Sequence, residues 1–217
     1  MRRPARQGLT LVELVIVMVV SGIVALIAPS LLFHGVKTMV FLPKALLVNH
    51  AATEIMHQII EGGFSTLAGQ TTVRGVRFAV RRSATEPALW FAEDDRVGFR
   101  ASDGASVLIR WDNTVNQEVI RRSLPASSCT PVIDPGEILF YPAQQPSITV
   151  RILRISPTTP IFRYYDQGGT QILTPGCPPN SAVRRVDIAF TAQTGNVNFD
   201  EVQAKEQSTS SVAIRVP

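Results

Sequence analysis

Apolar positions run without a break from Leu14 to Phe33, LVIVMVVSGIVALIAPSLLF, a stretch of twenty residues with no charge. At 1.5 Å per residue it reaches about 30 Å, the hydrocarbon thickness of a bilayer, so a membrane-spanning helix is predicted. Past Phe33 the pattern changes. His34, Lys37, Lys44, Asn49, His50, Glu54 and His57 interrupt the apolar run, while Leu47, Ala51, Ile55 and Ile59 recur every four residues and draw a single stripe. The helix is predicted to continue as an amphipathic segment whose stripe packs on a sheet. Gly62 and Gly63 supply a stop, giving a rod from about Leu9 to Glu61, on the order of 80 Å if straight. Pro29 and Pro43 are expected to kink or locally open it, because each removes a backbone donor and crowds the preceding turn.

From Thr71 onward the period shortens to β-like runs separated by turn residues: VRGVRFAVR, ALWFA, SVLIRW, EVIRRSL, EILFYP, SITVRILRI, IFRYYD, VRRVDIAFTA, VNFDEV and SVAIRVP. Several alternate apolar residues with Arg or Thr, which suits an antiparallel sheet with one wet face. SLPASSCTPVIDPGE, SPTTP and LTPGCPPNS are loops by composition, and AKEQSTSS reads as a turn before a last strand. The predicted class is α+β: a long N-terminal helix, half transmembrane and half amphipathic, packed on a mainly antiparallel β-sheet head. No repeat of 20–50 residues is present.

Charge sharpens this picture. Arg2, Arg3 and Arg6 precede the apolar run and account for most of the formal +4; the other 18 basic residues face 17 acidic ones. The remainder of the chain has no basic excess with which to hold phosphates, and a nucleic-acid partner is not expected. The same three arginines place the N-terminus in the cytoplasm and send the rest outward. There a disulfide survives, and Cys129 and Cys177, the two cysteines, are expected to form one. Closing a loop of 47 intervening residues stabilises a fold by about 4 kcal/mol.

One residue does not fit a simple anchor. Glu13 sits at the head of the apolar run and costs a few kcal/mol at membrane depth if unpaired. A cleaved secretory signal explains neither this acid nor the length of the run, since its apolar region is usually 7–15 residues. A plain anchor explains the length alone. A cut between Gly8 and Leu9 would create an α-amine on Leu9, four residues before Glu13 and about 6 Å away along a helix axis. That amine and the carboxylate could neutralise each other across two packed helices, or within one.

Gly8 followed by LTLVELVIVMVVSGIVALIAP resembles the class III signal of type IV pilins and type II secretion pseudopilins. The resemblance rests on glycine, a hydrophobic residue, Thr10, Leu11, Val12, Glu13 and Leu14, then an unbroken apolar stretch, and covers roughly the first thirty residues. The family usually has Phe after the glycine, where this chain has Leu9; leucine and methionine also occur there. The resemblance implies a leader over residues 1–8, removed by a prepilin peptidase between Gly8 and Leu9, and N-methylation of Leu9. It further implies a transmembrane and assembly helix over 9–33, an amphipathic continuation over 34–63 and an exported β-rich head over 64–217. Implied partners are other pilin or pseudopilin subunits, the peptidase and an inner-membrane assembly platform. Glu13 would serve assembly, and the subunit would sit single-pass in the bacterial inner membrane before entering a filament. The size of the head resembles a J-type minor pseudopilin or W-type minor pilin, and retention of Glu13 argues against the tip-most K-type subunit.

No catalytic constellation stands out, and no enzyme activity or cofactor is expected. His34, His50 and His57 all lie on the predicted stem, far in sequence from Cys129 and Cys177, so neither a catalytic triad in the head nor a Cys/His zinc site is expected. Glu93, Asp94 and Asp95, and the series Asn196, Asn198, Asp200, are the clusters of oxygen ligands; the first is read as a solvated turn and the second as the exposed face of a hairpin, and no metal site is assigned. Trp90, Trp111, Tyr141, Tyr164 and Tyr165 are read as core or half-buried strand residues. Two other readings stay open at this stage: a filament subunit whose head captures DNA or a secreted substrate, and an anchored exported domain with no filament role.

Overall fold

The computed structural model describes residues 10–64, 72–80, 87–114, 117–124, 136–139, 149–173, 177, 182–195 and 204–214. One helix, α1 (Leu11–Ile60), is followed by twelve short strands among these residues. The fold is α+β. The chain divides into two compact units, Met1–Pro43 and Lys44–Pro217.

In the first unit α1 is uncharged and apolar all round from Leu14 to Phe33, and its large apolar side chains are exposed from Leu11 through Leu31 and Leu32 to Met39 and Leu42. A segment with no polar face and no packing partner among the described residues of its unit belongs in lipid or among other helices. It is long and apolar enough to cross a membrane. Pro29 lies inside α1 and so does Pro43; the helix is continuous through both, so neither opens it as the sequence suggested. α1 stops at Ile60, and Gly62 takes a positive φ of 89° just beyond, as expected of a glycine helix stop.

In the second unit the amphipathic stripe is realised. Ala51, Ile55 and Ile59 are buried with Val48, Ala52 and Met56, and Leu47 packs against the same core, while Asn49, His50, Thr53 and His57 are exposed. The core they join is built from the inner faces of two five-stranded antiparallel sheets. The first contains, in spatial order, β3 (Leu89–Glu93), β4 (Arg96–Arg100), β5 (Ser106–Thr114), β6 (Gln117–Ser123) and β7 (Glu137–Ile138). The second is centred on β11 (Arg185–Gly195). On one side β11 pairs with β12 (Lys205–Ala213); on the other it pairs with β8 (Thr149–Leu153) along one part and β9 (Phe162–Tyr165) along the next, and β10 (Gln171–Ile172) extends β9. A small pair, β1 (Gly62–Phe64) with β2 (Thr72–Arg74), follows the helix.

The two larger sheets are tied at a polar seam. The turn between β3 and β4 is held by its own carbonyls: Tyr164 Oη lies 3.0 Å from Glu93 O and 2.8 Å from Arg96 O, and the Phe162 amide donates to Asp94 O at 3.0 Å. Trp111 Nε1 donates to Ile152 O at 2.7 Å. Arg154 binds Asp95, with Nη2 at 2.6 Å from Oδ1, and its guanidinium lies 5.2 Å from the Trp111 ring centroid. Arg151 pairs with Glu118 across the same seam. Separately, the guanidinium of Arg122, fully buried, binds Glu137 and donates to Phe64 O at 2.8 Å, fastening β1 to β6 and β7.

Three strand expectations need correcting. VRGVRFAVR is not one strand: β2 ends at Arg74, and a 3-10 turn at Val76–Phe78 follows Gly75. At Gly75 a Cβ would lie 2.3 Å from Ile60 O, so the chain passes too close to the end of α1 to extend β2. AKEQSTSS is largely strand, not turn, since β12 begins at Lys205. The segment RVGFR, absent from the expected strands, is β4, central to its hairpins. VNFDEV lies outside the described residues.

Candidate functional site

The first turn of α1 is set by two residues of the sequence TLVE, Thr10 and Glu13. Thr10 precedes the helix and its carbonyl accepts the first helical bond, from Leu14 N at 3.1 Å. Its hydroxyl accepts from Glu13 N at 3.3 Å, a long bond, and donates to Glu13 Oε2 at 2.9 Å. In return Glu13 Oε2 accepts from the Thr10 amide at 2.8 Å. This reciprocal arrangement is a capping box: Thr10 at the N-cap and Glu13 three residues on each satisfy an amide that the helix leaves without a partner. A carboxylate here also faces the positive end of the helix dipole.

Glu13 therefore has a function inside its own chain that the sequence reading did not assign. Thr10 is legible in the sequence as part of the signal motif, and T-x-x-E before an apolar run is also a sequence signature of such a cap. The box engages one carboxylate oxygen; Oε1 has no partner among the described residues. Glu13 is exposed, as are Leu11, Val12 and Leu14 around it. Gly8 and Leu9, the expected cleavage and methylation positions, lie outside the described residues. The described chain begins at the N-cap, one residue past Leu9, so an amine on Leu9 would be adjacent in sequence to the box.

The other residues singled out from sequence fall elsewhere. Cys177 is disulfide-bonded. The chain has one other cysteine, Cys129, which lies outside the described residues. Cys177 Sγ sits 3.1 Å from Trp90 O, a sulfur–oxygen contact, since a disulfide sulfur has no proton to donate. His34, His50 and His57 are all on α1. Of the acidic triplet, Asp95 is taken by Arg154 and Glu93 lies 3.7 Å from Arg96. No group of three His, Cys, Asp or Glu fit to hold a metal occurs among the described residues. Asn196, Asn198 and Asp200 are outside them, as is Tyr141. Tyr164 is in the core, Trp90 and Trp111 are half-buried, and Tyr165 carries Arg185 on its ring at 4.1 Å.

Comparison with known proteins touches the N-terminal segment alone. Residues 3–29 match the family model described as the prokaryotic N-terminal methylation motif. Neither curated proteins nor solved structures yielded a match. The matched span contains Gly8, Leu9, the Thr10–Glu13 box and most of the exposed apolar helix, so signal, cap and membrane-competent helix occupy one stretch of chain. Such a motif implies dealings with a prepilin peptidase and with other pilin subunits, and together with the apolar helix it supports membrane anchoring. The chain thus carries at residues 3–29 the class III signal of pilin- and pseudopilin-type processed subunits.

Proposed function

We propose that the chain is a minor pilin or minor pseudopilin, a non-catalytic structural subunit of a type IV pilus or type II secretion pseudopilus. A prepilin peptidase cuts between Gly8 and Leu9, and Leu9 is N-methylated. The subunit waits in the bacterial inner membrane with its N-terminus cytoplasmic and its β-rich head on the far side, until an assembly platform draws it into a filament.

The observation that carries this reading is the state of Glu13. The capping box keeps Oε2 on Thr10, with no partner for Oε1 among the described residues, at the start of a helix whose large apolar side chains are exposed. An open carboxylate oxygen there can accept a charged hydrogen bond from the Leu9 amine of an adjacent subunit without giving up the cap. Pairing the two charges lets both lie among packed apolar helices, where either alone is costly. Helix-on-helix contact replaces lipid contact along Leu14 to Phe33, and the ion pair sets which turn of one helix meets which turn of the next. The size of the β-rich unit supports the minor-subunit assignment.

A Glu13→Ala variant tests this in cells that assemble the filament. Processing should proceed and incorporation into sedimentable filaments should fall at least tenfold; normal incorporation contradicts the reading.

A further inference from the structure

We propose that the turn from Phe33 to Lys37 is a binding point for the phosphate of an anionic lipid, at the end of the span opposite Glu13. The proposal rests on the reading that α1 crosses a bilayer. No Asp, Glu, Lys or Arg stands between Glu13 and Lys37. Their separation along the helix is about 36 Å against about 30 Å of hydrocarbon, so both charges reach headgroup layers, on opposite faces of the membrane.

Side chains on a helix lean toward its N-terminus, and Lys37 does so: Nζ lies 4.4 Å from the centroid of the Phe33 ring. The ammonium is thereby held at the level of the last residue of the uncharged run, beside an exposed aromatic ring, at the depth where acyl chains give way to phosphates. Thr38 does not compete for a ligand, since its hydroxyl donates back to His34 O at 2.9 Å.

Among the described residues Lys37 makes no ion pair. The next acid along α1 is Glu54, about 25 Å further up the axis. A second copy in the same register would bring another Lys37 to this level rather than a carboxylate. Val36, Met39 and Leu42, spaced by three and all exposed, continue an apolar line past the lysine. A lysine beside an apolar line, just beyond a full span, suits the boundary of a bilayer with acidic headgroups.

The test uses the full chain with Arg2, Arg3 and Arg6 replaced by Gln, which removes the other basic cluster near a membrane face. It is reconstituted into vesicles of mixed phosphatidylglycerol and phosphatidylcholine. Resistance to alkaline carbonate scores integration, and native mass spectrometry after release scores retained lipid. The expected result is integrated protein retaining phosphatidylglycerol about fivefold over phosphatidylcholine. Lys37→Gln should bring that ratio to parity and Lys37→Arg should keep it. Integrated protein with equal retention, or with a preference unchanged in Lys37→Gln, overturns the proposal and leaves the spanning helix standing. Extraction of the protein by carbonate overturns the spanning helix itself, and the lipid site with it.

Discussion

Glu13 accepts hydrogen bonds from both the amide and the hydroxyl of Thr10, through one oxygen of its carboxylate. The proposed function asks this side chain for a second part beside the cap of its own helix, a charge offered to a neighbour, and the chemistry of glutamine separates the two. Gln at position 13 can still accept from the Thr10 amide but has no charge to offer an amine. Glu13→Gln should keep the amide of Thr10 protected from hydrogen exchange while filament incorporation falls. Thr10→Ala should instead expose the amide of Glu13, which loses its acceptor, and weaken the start of the helix by about 1 kcal/mol while the charge and incorporation remain. If both variants lose protection and incorporation together, the two functions are one.

The turn between β3 and β4 depends on Tyr164. Its hydroxyl serves the carbonyls of Glu93 and Arg96, and Tyr164→Phe leaves them without that donor. A cost of about 1–3 kcal/mol is expected, visible as a lowered Tm of the processed protein.

Alkaline pH should act on the same residue. Burial pushes the Tyr164 phenol well above its ordinary value, with the carboxylates of Asp94, Glu93 and Asp95 adding to the effect. In the unfolded chain a tyrosine loses its proton near pH 10. Above that point the unfolded state binds fewer protons than the folded one, so stability is present below pH 10 and declines as pH rises through the window up to the folded value. A Tm series from pH 8 to 11.5 should fall more steeply above pH 10 for the wild type than for Tyr164→Phe.

Much of this architecture was legible from residue pattern. The uncharged run, the four-residue spacing of Ala51, Ile55 and Ile59, the Gly62 stop and the alternation in TVRILRI each state a local requirement, and the structure meets each one. What escaped has an identifiable physical cause. β12 is an edge strand paired with β11 alone, and Lys205 to Ser211 are not buried on either face, so no alternation marks it. β4 directly follows the Asp94–Asp95 turn and contains Gly98, and its pairing with β3 and β5 outweighs those turn signals. The break at Gly75 depends on the carbonyl of Ile60, fifteen residues earlier, which no local window contains. At the N-terminus the charge of Glu13 is plain in the sequence, but an acid three residues after a threonine can cap its own helix or pair elsewhere, and the bond to Thr10 becomes visible only in the geometry.

Arg122 and Glu137 form a pair in which one member is fully enclosed. Removing the carboxylate alone strands a buried cation, so Glu137→Leu should cost about 3–5 kcal/mol in chemical denaturation. Replacing both, as Arg122→Met with Glu137→Leu, should recover most of that loss, because two apolar groups need no counter-charge. Equal losses in the single and double variants would mean that the bond from Arg122 to Phe64 O matters more than the ion pair.

The bonded state of Cys177 predicts no reactive thiol in the folded, non-reduced protein and two after reduction under denaturing conditions. Reduction should lower stability by about 4 kcal/mol on the loop-entropy argument. Thiol titration before and after reduction, followed by a denaturant series, checks both figures.

The proposed pairing of Glu13 requires an amine at Leu9. The direct measurement is the intact mass and N-terminal fragment spectrum of the protein purified from membranes of a cell that assembles it. The predicted result is a chain that begins at Leu9 and carries one added methyl group on that nitrogen. A chain that still begins at Met1, or one trimmed beyond Pro29, has no such amine beside Glu13 and contradicts the account.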